Sequence, residues 1–387
     1  MERSVNDPTM RIGLFHPTAP SVHVASRIVN DLNPNVLDLD AHIRLAQTCE
    51  ALGFDFLFMA DNWASPSADA TRVGQMDPNL MGPILAASLF AVARQIGIVT
   101  TVHTSWFHPV VVARMGANLD TLSKGRWGIN VVTGAGMAEE LLRSATDQTN
   151  HDERYAMAEE ALAIAKQMWR GEECRFEGQY YTVHGRLVGP TAVQRPHPVI
   201  FSAGASPGGR RFAARNADWM FIPGRMSQAD AIERIRLIRE QSTLANRPAH
   251  SVKFMRHVSI LVRETADEAR RVSDWITSAI DLPAAHAYVK SISQNISTYG
   301  DIYKQYATDD EVVRVIGVSS GAIRIHGAPQ QVAEQIKELY DTQECRGIAL
   351  TFPLWHVEEI TRFGRLVLPI LEEMGLWVSP HKRGWSW

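Results

Sequence analysis

Eight short apolar runs punctuate this chain, at Arg11–Phe15, Phe54–Met59, Ile96–Val102, Trp127–Val132, Pro198–Ser202, Trp219–Pro223, Phe254–Val262 and Gly347–Phe352. Each has the length of a strand and is apolar nearly throughout, the pattern of a strand buried on both faces. Between most of them apolar residues recur every three or four positions, which predicts helices over Leu39–Leu52, Leu80–Arg94, Val110–Leu122, Asp152–Trp169, Ala229–Thr243, Ala266–Ile280 and Pro329–Tyr340. Strands of this kind alternating with helices imply a parallel α/β sheet, and eight such units argue for closure into a (β/α)8 TIM barrel; an open doubly wound sheet is the alternative. A single barrel domain would span 10–376, with 1–9 and 377–387 as terminal tails.

Local punctuation supports this parse. Asp152 precedes a helical stretch with Glu153 in its first turn, and Gly327-Ala328-Pro329 places Pro329 near a first helical position. Asp38, Asp40 and His42 cluster at another helix start, where capping accounts for them. Two stretches exceed ordinary connections, Arg170–His197 and Leu282–Gly327, and insertions of that length in a barrel often cover its C-terminal mouth. The first holds Tyr180–Val183, which suggests a small hairpin; the second carries Tyr288, Tyr299, Tyr303 and Tyr306 and is the candidate lid. Three tryptophans, Trp377, Trp385 and Trp387, mark the C-terminal tail, which is expected to dock on the body or on a partner subunit because a large exposed apolar patch is rare.

Composition narrows the class. Among 387 residues, 45% are hydrophobic and 21% charged, which fits a soluble globular chain with a sizeable core. A formal charge of −3 gives no basic footprint for nucleic acid or anionic lipid. The first ten residues lack the apolar core of a secretory signal, no apolar run is long enough to span a membrane, and the expected location is cytoplasmic. Cys49, Cys174 and Cys345 are few and widely spaced, so they read as reduced packing residues.

Candidate chemistry gathers where strands end. The run W-G-I-N-V-V-T-G, Trp127–Gly134, delivers Asn130, Thr133 and Gly134 toward the mouth where α/β barrels keep their active sites. Thr104 ends T-T-V-H-T at Thr100–Thr104, and with Asn130 it offers neutral hydrogen-bonding groups suited to oxygen or a flavin edge; satisfied turn residues are the plainer alternative. His103 could move a proton or simply pack. The loop S-A-G-A-S-P-G-G-R, Ser202–Arg210, runs from a strand into a helix, where free N–H groups and the helix dipole suit a phosphate; an ordinary strand-to-helix turn fits equally. Glu139 and Glu140 read either as a first-turn pair or, for Glu139, as a contact at the pocket rim. Histidines and carboxylates are not clustered as metal ligands, and no G-x-S-x-G elbow anchors a hydrolase triad.

Together these motifs, with F-D-F at Phe54–Phe56, H-P-V-V-V-A-R-M at His108–Met115, E-R-Y at Glu153–Tyr155 and A-D-W-M-F at Ala217–Phe221, resemble the bacterial luciferase-like flavin-dependent monooxygenases, in the branch that includes pyrimidine monooxygenase and riboflavin lyase. The resemblance implies an eight-stranded α/β barrel, reduced FMN supplied by a separate NAD(P)H-dependent flavin reductase, O2 as co-substrate, and a homodimer or homotetramer. By position it places Thr104 and Asn130 at the oxygen-reacting edge of the flavin, Glu139 as a nearby carboxylate, Ala60 and Thr133, with Gly134, along the isoalloxazine, and Tyr155, Ser202, Gly204 and Ser206 at the phosphate. The implied chemistry is oxygen transfer through a flavin peroxide, formed at N5 in this branch, with cleavage of a C–N bond in a planar N-heterocycle, riboflavin (giving lumichrome) or a pyrimidine. One departure bears on the substrate: pyrimidine monooxygenase carries a Trp where this chain has Ala135, which implies a roomier pocket. Alternatives of other classes are oxygenation of an organosulfur or halogenated aromatic substrate, a deazaflavin-dependent dehydrogenase, and a non-catalytic flavin-binding protein.

Overall fold

The computed structural model describes residues 9–134, 141, 151–204, 206–222, 224, 226–295 and 309–386. Eight parallel strands close a ring: β1 (Arg11–Phe15), β2 (Phe56–Met59), β3 (Gly97–His103), β4 (Trp127–Val132), β7 (Val199–Ser202), β8 (Trp219–Ile222), β9 (Lys253–Val262) and β11 (Cys345–Thr351). The order around it is β9-β11-β1-β2-β3-β4-β7-β8, and β8 pairs back onto β9. These are the eight apolar runs of the sequence, and the barrel, not the open sheet, is the architecture. Two further strands, β5 (Cys174–Glu177) and β6 (Thr182–Gly185), form the antiparallel hairpin anticipated around Tyr180. Among the described residues no helix is long and apolar enough to cross a membrane.

Helices start where side chains can satisfy their first N–H groups. Asp38 Oδ1 accepts from Asp40 N at 3.0 Å, Ser227 Oγ from Asp230 N at 3.1 Å and Thr265 Oγ1 from Glu268 N at 3.2 Å. Pro329 occupies the first turn of Pro329–Gln343, as its spacing predicts. The helix expected after Asp152 already includes His151 among the described residues, so Asp152 lies inside it rather than ahead of it.

The two long stretches differ in build. Arg170–His197 connects a helix end to the start of β7, and its last part packs on the N-terminal face, where Gln194 Nε2 donates to Trp127 O at 2.6 Å and the Asp120 carboxylate receives Val193 N and Gln194 N. Glu160 holds the hairpin turn through Gln179, Tyr180 and Tyr181 N–H groups. The hairpin climbs the outside of the barrel, where the Tyr181 ring meets His108, at the start of the helix after β3, edge-on at 5.8 Å. Leu282–Gly327 is richer than an insertion without structure: it contains helices Leu282–Asn295 and Asp310–Ser319 and the strand β10 (Ile323–Gly327), which pairs with the upper half of β9. β9 has ten residues; one edge serves β11, while the other serves β8 and then β10. The two helices pack on Val22, Val24, Ala25 and Val29 after β1, with Ala25 N donating to Gly317 O at 2.8 Å, so their described parts sit on the C-terminal side. Tyr299, Tyr303 and Tyr306 lie outside the described residues.

The tail docks on its own chain at the N-terminal face. Trp377 is buried and Trp385 packs on the core. Arg383 bonds Asp55, Arg11 Nε donates to Ser386 O at 2.9 Å, and Asp55 Oδ2 accepts from Ile12 N at 2.9 Å. Burial holds the Asp55 carboxyl above the usual range despite Arg383 and Arg11, so removing a guanidinium leaves a costly buried acid. Arg383→Ala should lower unfolding stability by ~3 kcal/mol in urea denaturation. The double variant with Asp55→Ala should lose less than the sum of the two single losses.

Candidate active site

Strand parity decides which side chains reach the barrel interior. In β4, Trp127, Ile129 and Val131 face the helices. Trp127 Nε1 donates to Thr100 Oγ1 at 3.0 Å and its ring lies against Gly116, where a Cβ would come within 2.6 Å; Trp169, at 6.1 Å and 81° to Trp127, bonds Ala113 O at 2.9 Å. With the outer face fixed, Asn130 points inward. It is paired in register with Thr101 of β3, and Asn130 Nδ2 donates to Thr101 Oγ1 at 3.0 Å. Asn130 Oδ1 is sealed from water and has no partner. Thr104 sits on the neighbouring strand end, but its hydroxyl donates to Val132 O at 3.3 Å. The polar partner that β3 gives Asn130 is therefore Thr101; counting by twos from the inward Val99 would have found it.

Below this pair the barrel is plugged by aromatic rings. Phe58 lies 5.1 Å from Phe15, 5.9 Å from Phe201 and 4.8 Å from Phe221. Phe15 and Phe221 are half-buried, so they form the upper surface of this floor. One wall is also aromatic: His103 stacks on Trp106 at 4.1 Å, and Trp63 meets Trp106 and Phe107 edge-on at 5.6 and 5.7 Å. His103 Nε2 pairs with Asp61 O at 3.0 Å, whereas His103 Nδ1 is buried without a partner. Burial pushes His103 down to about 4, so the ring is neutral and packed. Asp61 adjoins Ala60, whose carbonyl accepts from Thr18 Oγ1 at 3.2 Å. Burial pushes the Asp61 carboxyl up to about 6, against the Trp63 indole N–H donated to it at 2.9 Å. Asp61 escaped the sequence reading because a lone Asp after a strand carries no pattern.

The loop after β7 is a backbone cradle. A Cβ on Gly204 would lie 2.3 Å from Tyr155 Oη, and one on Gly209 would lie 2.6 Å from the Gly204 carbonyl carbon. Ser206 caps the helix Pro207–Asn216, accepting Gly209 N at 3.1 Å, and Ser202 Oγ accepts Gly204 N at 3.4 Å. Tyr155, Ser202, Gly204 and Ser206 are thus brought together at one helix N-terminus, a setting that favours a phosphate. Thr133 is buried with its carbonyl bonded by Ser105 Oγ at 2.7 Å, and Gly134 takes φ +94°, which a side chain would resist. Glu139 and Ala135 lie outside the described residues. His16 faces away from the barrel and pairs with His42 at 3.0 Å. Among the described residues no three His, Cys, Asp or Glu gather to hold a metal.

These features fit an FMN: a cradle from which side chains are excluded, and an orphaned neutral acceptor at Asn130 for a ring N–H. Residues 10–343 match the family Luciferase-like monooxygenase. The FMNH2-dependent dimethylsulfone monooxygenase of Pseudomonas putida is 27% identical over 343 residues, spanning 87% of this chain and 89% of that protein. Nitrilotriacetate monooxygenase component A of Aminobacter aminovorans is 25% identical, spanning 89% of this chain and 88% of its own length. In structure, riboflavin lyase RcaE, solved with modified FMN and its substrate riboflavin, superposes with a TM-score of 0.83 at 26% identity, covering 96% of this chain and 93% of that one. The chain belongs to the luciferase-like monooxygenases and is a flavin-dependent enzyme of that family.

Proposed function

We propose that this enzyme is the oxygenating component of a two-component system, taking reduced FMN and O2 and cleaving a C–N bond of a planar N-heterocycle, riboflavin or a pyrimidine. The observation that carries the substrate class is the aromatic lining of the mouth, with its phenylalanine floor and its Trp63–Trp106 wall. Flat faces suit a flat ring, and burying neutral polar atoms there costs far less than burying charge. The likeness to a riboflavin lyase supports the same class, and the relative named as a component A supports a separate NAD(P)H-dependent reductase. A second reading, oxygenation of a small organosulfur compound, has the dimethylsulfone relative in its favour.

Bound FMN would supply the oxygen and electron chemistry; the protein's work is binding, orientation and exclusion of water. The tight Gly204–Gly209 backbone would let the phosphate approach the N-terminus of Pro207–Asn216, beside the hydroxyls of Ser202, Ser206 and Tyr155. Asn130 Oδ1, oriented by Thr101, would accept a hydrogen bond from the ring, with Thr104, Ala60, Thr133 and Gly134 around it. Glu139 keeps its proposed place as a rim carboxylate. Asp61, whose carboxyl loses its proton near pH 6, is a group at the mouth able to accept a proton as the reaction proceeds. Exposed Ile28, Leu32, Leu37 and Leu39 along one stretch of chain support assembly into a homodimer or homotetramer.

Anaerobic titration with reduced FMN, then oxygen with riboflavin or uracil, should give tight flavin binding and a substrate-dependent product seen by mass spectrometry. Deazaflavin binding in place of FMN, or oxygenation of dimethylsulfone alone, would refute the reading. Gly209→Ala should weaken FMN by at least ~10-fold in fluorescence titration, because its Cβ meets backbone that cannot rotate away. For Asp61, kcat/KM should rise as pH increases through about 6, the range in which its carboxyl loses its proton. Asp61→Asn should flatten that limb and lower the plateau by ~100-fold, as read from a pH–rate profile.

A further inference from the structure

Across the mouth from Thr101 and Asn130 lies a second polar group. The strand ring places β9 and β11 diametrically opposite β3 and β4. Inward His257 of β9, inward Thr351 of β11 and His23 from the loop after β1 meet there. Thr351 Oγ1 is 3.1 Å from His257 Nε2 and 3.2 Å from His23 Nδ1, and the two imidazoles are 4.5 Å apart. Phe15, the top of the floor, stacks on His257 at 4.6 Å and 25° and meets His23 edge-on at 4.7 Å. From the other side, Ser320 Oγ bonds His23 O at 3.0 Å, tying this corner to the segment that follows the helix Asp310–Ser319.

Burial pushes His257 down to about 3 and His23 well below its ordinary value, so both rings are neutral. A neutral imidazole carries one donor and one acceptor, and a hydroxyl has a single proton to give. Buried Thr351 uses that proton fully only by donating to one histidine and accepting from the other. The histidine that receives the proton must carry N–H on its far nitrogen; the one that donates must present a bare far nitrogen. His257 Nδ1 and His23 Nε2 are therefore of opposite character, one donor and one acceptor. Neither has a partner among the described residues, and neither is among the sealed polar atoms.

We propose that His23, Thr351 and His257 form a substrate subsite that reads the adjacent N–H and C=O of a neutral lactam or imide ring, with Phe15 as its aromatic face. The Thr351 hydroxyl matches the two histidines to that edge and acts as a positioning group. This rests on the planar N-heterocycle reading above and deepens it.

The test measures, by calorimetry on the FMN-loaded enzyme, binding of riboflavin and of its 3-methyl derivative, whose imide N–H is blocked, with product formation followed in parallel. Wild type should prefer riboflavin by ~10-fold or more, since the methylated ring leaves a buried polar atom unpaired. Thr351→Val should reduce riboflavin affinity by ~10-fold and bring the two ligands to within ~3-fold of each other, and Thr351→Ser should restore the preference. His257→Gln gives a second variant with a similar loss, should the valine protein fold poorly. Unchanged affinities in Thr351→Val, with riboflavin still converted by the wild type, would overturn the subsite and leave the proposed function standing. Wild type that binds reduced FMN yet neither binds nor converts riboflavin or uracil would overturn both.

Discussion

The phenylalanine floor is the constraint on which the site depends. A closed barrel has an interior only one side chain deep from each strand, and large inward residues fill it as layers. Phe15, Phe58, Phe201 and Phe221 meet ring to ring and divide that interior. Beneath them Phe56, Val199, Trp219 and Met255 form a dry core in which Gly13 and Gly347 leave room for neighbouring rings. Above them, any inward side chain faces the mouth. The same parity that buries Trp127 among the helices sends Asn130 inward, so stability on one face of β4 fixes chemistry on the other.

Most of the architecture was legible because parallel barrel strands are apolar on both faces and stand out as runs. All eight were located from sequence, as were the long helices between most of them, with ends off by a few residues. β10 was hidden: I-R-I-H-G at Ile323–Gly327 alternates polar and apolar residues and pairs along one described edge, so it never reads as a buried run. The helices within Leu282–Gly327 were missed for a related reason, since their apolar positions serve a local cluster with Val22 and Val29 rather than the main core. Capping residues such as Asp38 and Pro329 were readable because their role depends only on near neighbours.

The site was legible to the extent that its residues follow one another in sequence. Ser202, Gly204 and Ser206 share a loop, and the structure joins them to Tyr155, whose hydroxyl fills the space a side chain at 204 would need. Cross-strand relations were not legible. Nothing in the order of residues says that Thr101 rather than Thr104 bonds Asn130, or that His23 and His257, far apart in the chain, share one threonine hydroxyl. Those pairings depend on register, which only the closed ring sets.

Asn130 Oδ1 and His103 Nδ1 remain buried without partners at the mouth. An unmade hydrogen bond of this kind costs about 1–3 kcal/mol, and a fold under selection for stability alone would replace it with packed carbon. Both atoms are neutral, and both lie above the floor, on the strands that lead to the proposed oxygen site. The His23–Thr351–His257 corner is also neutral, since burial strips its rings of charge. A mouth that offers neutral donors and acceptors on two opposite sides is matched to a flat, uncharged polar ring. Oxygen chemistry at a flavin benefits from the aromatic walls as well, because surroundings that exclude water keep it from competing for the reacting centre.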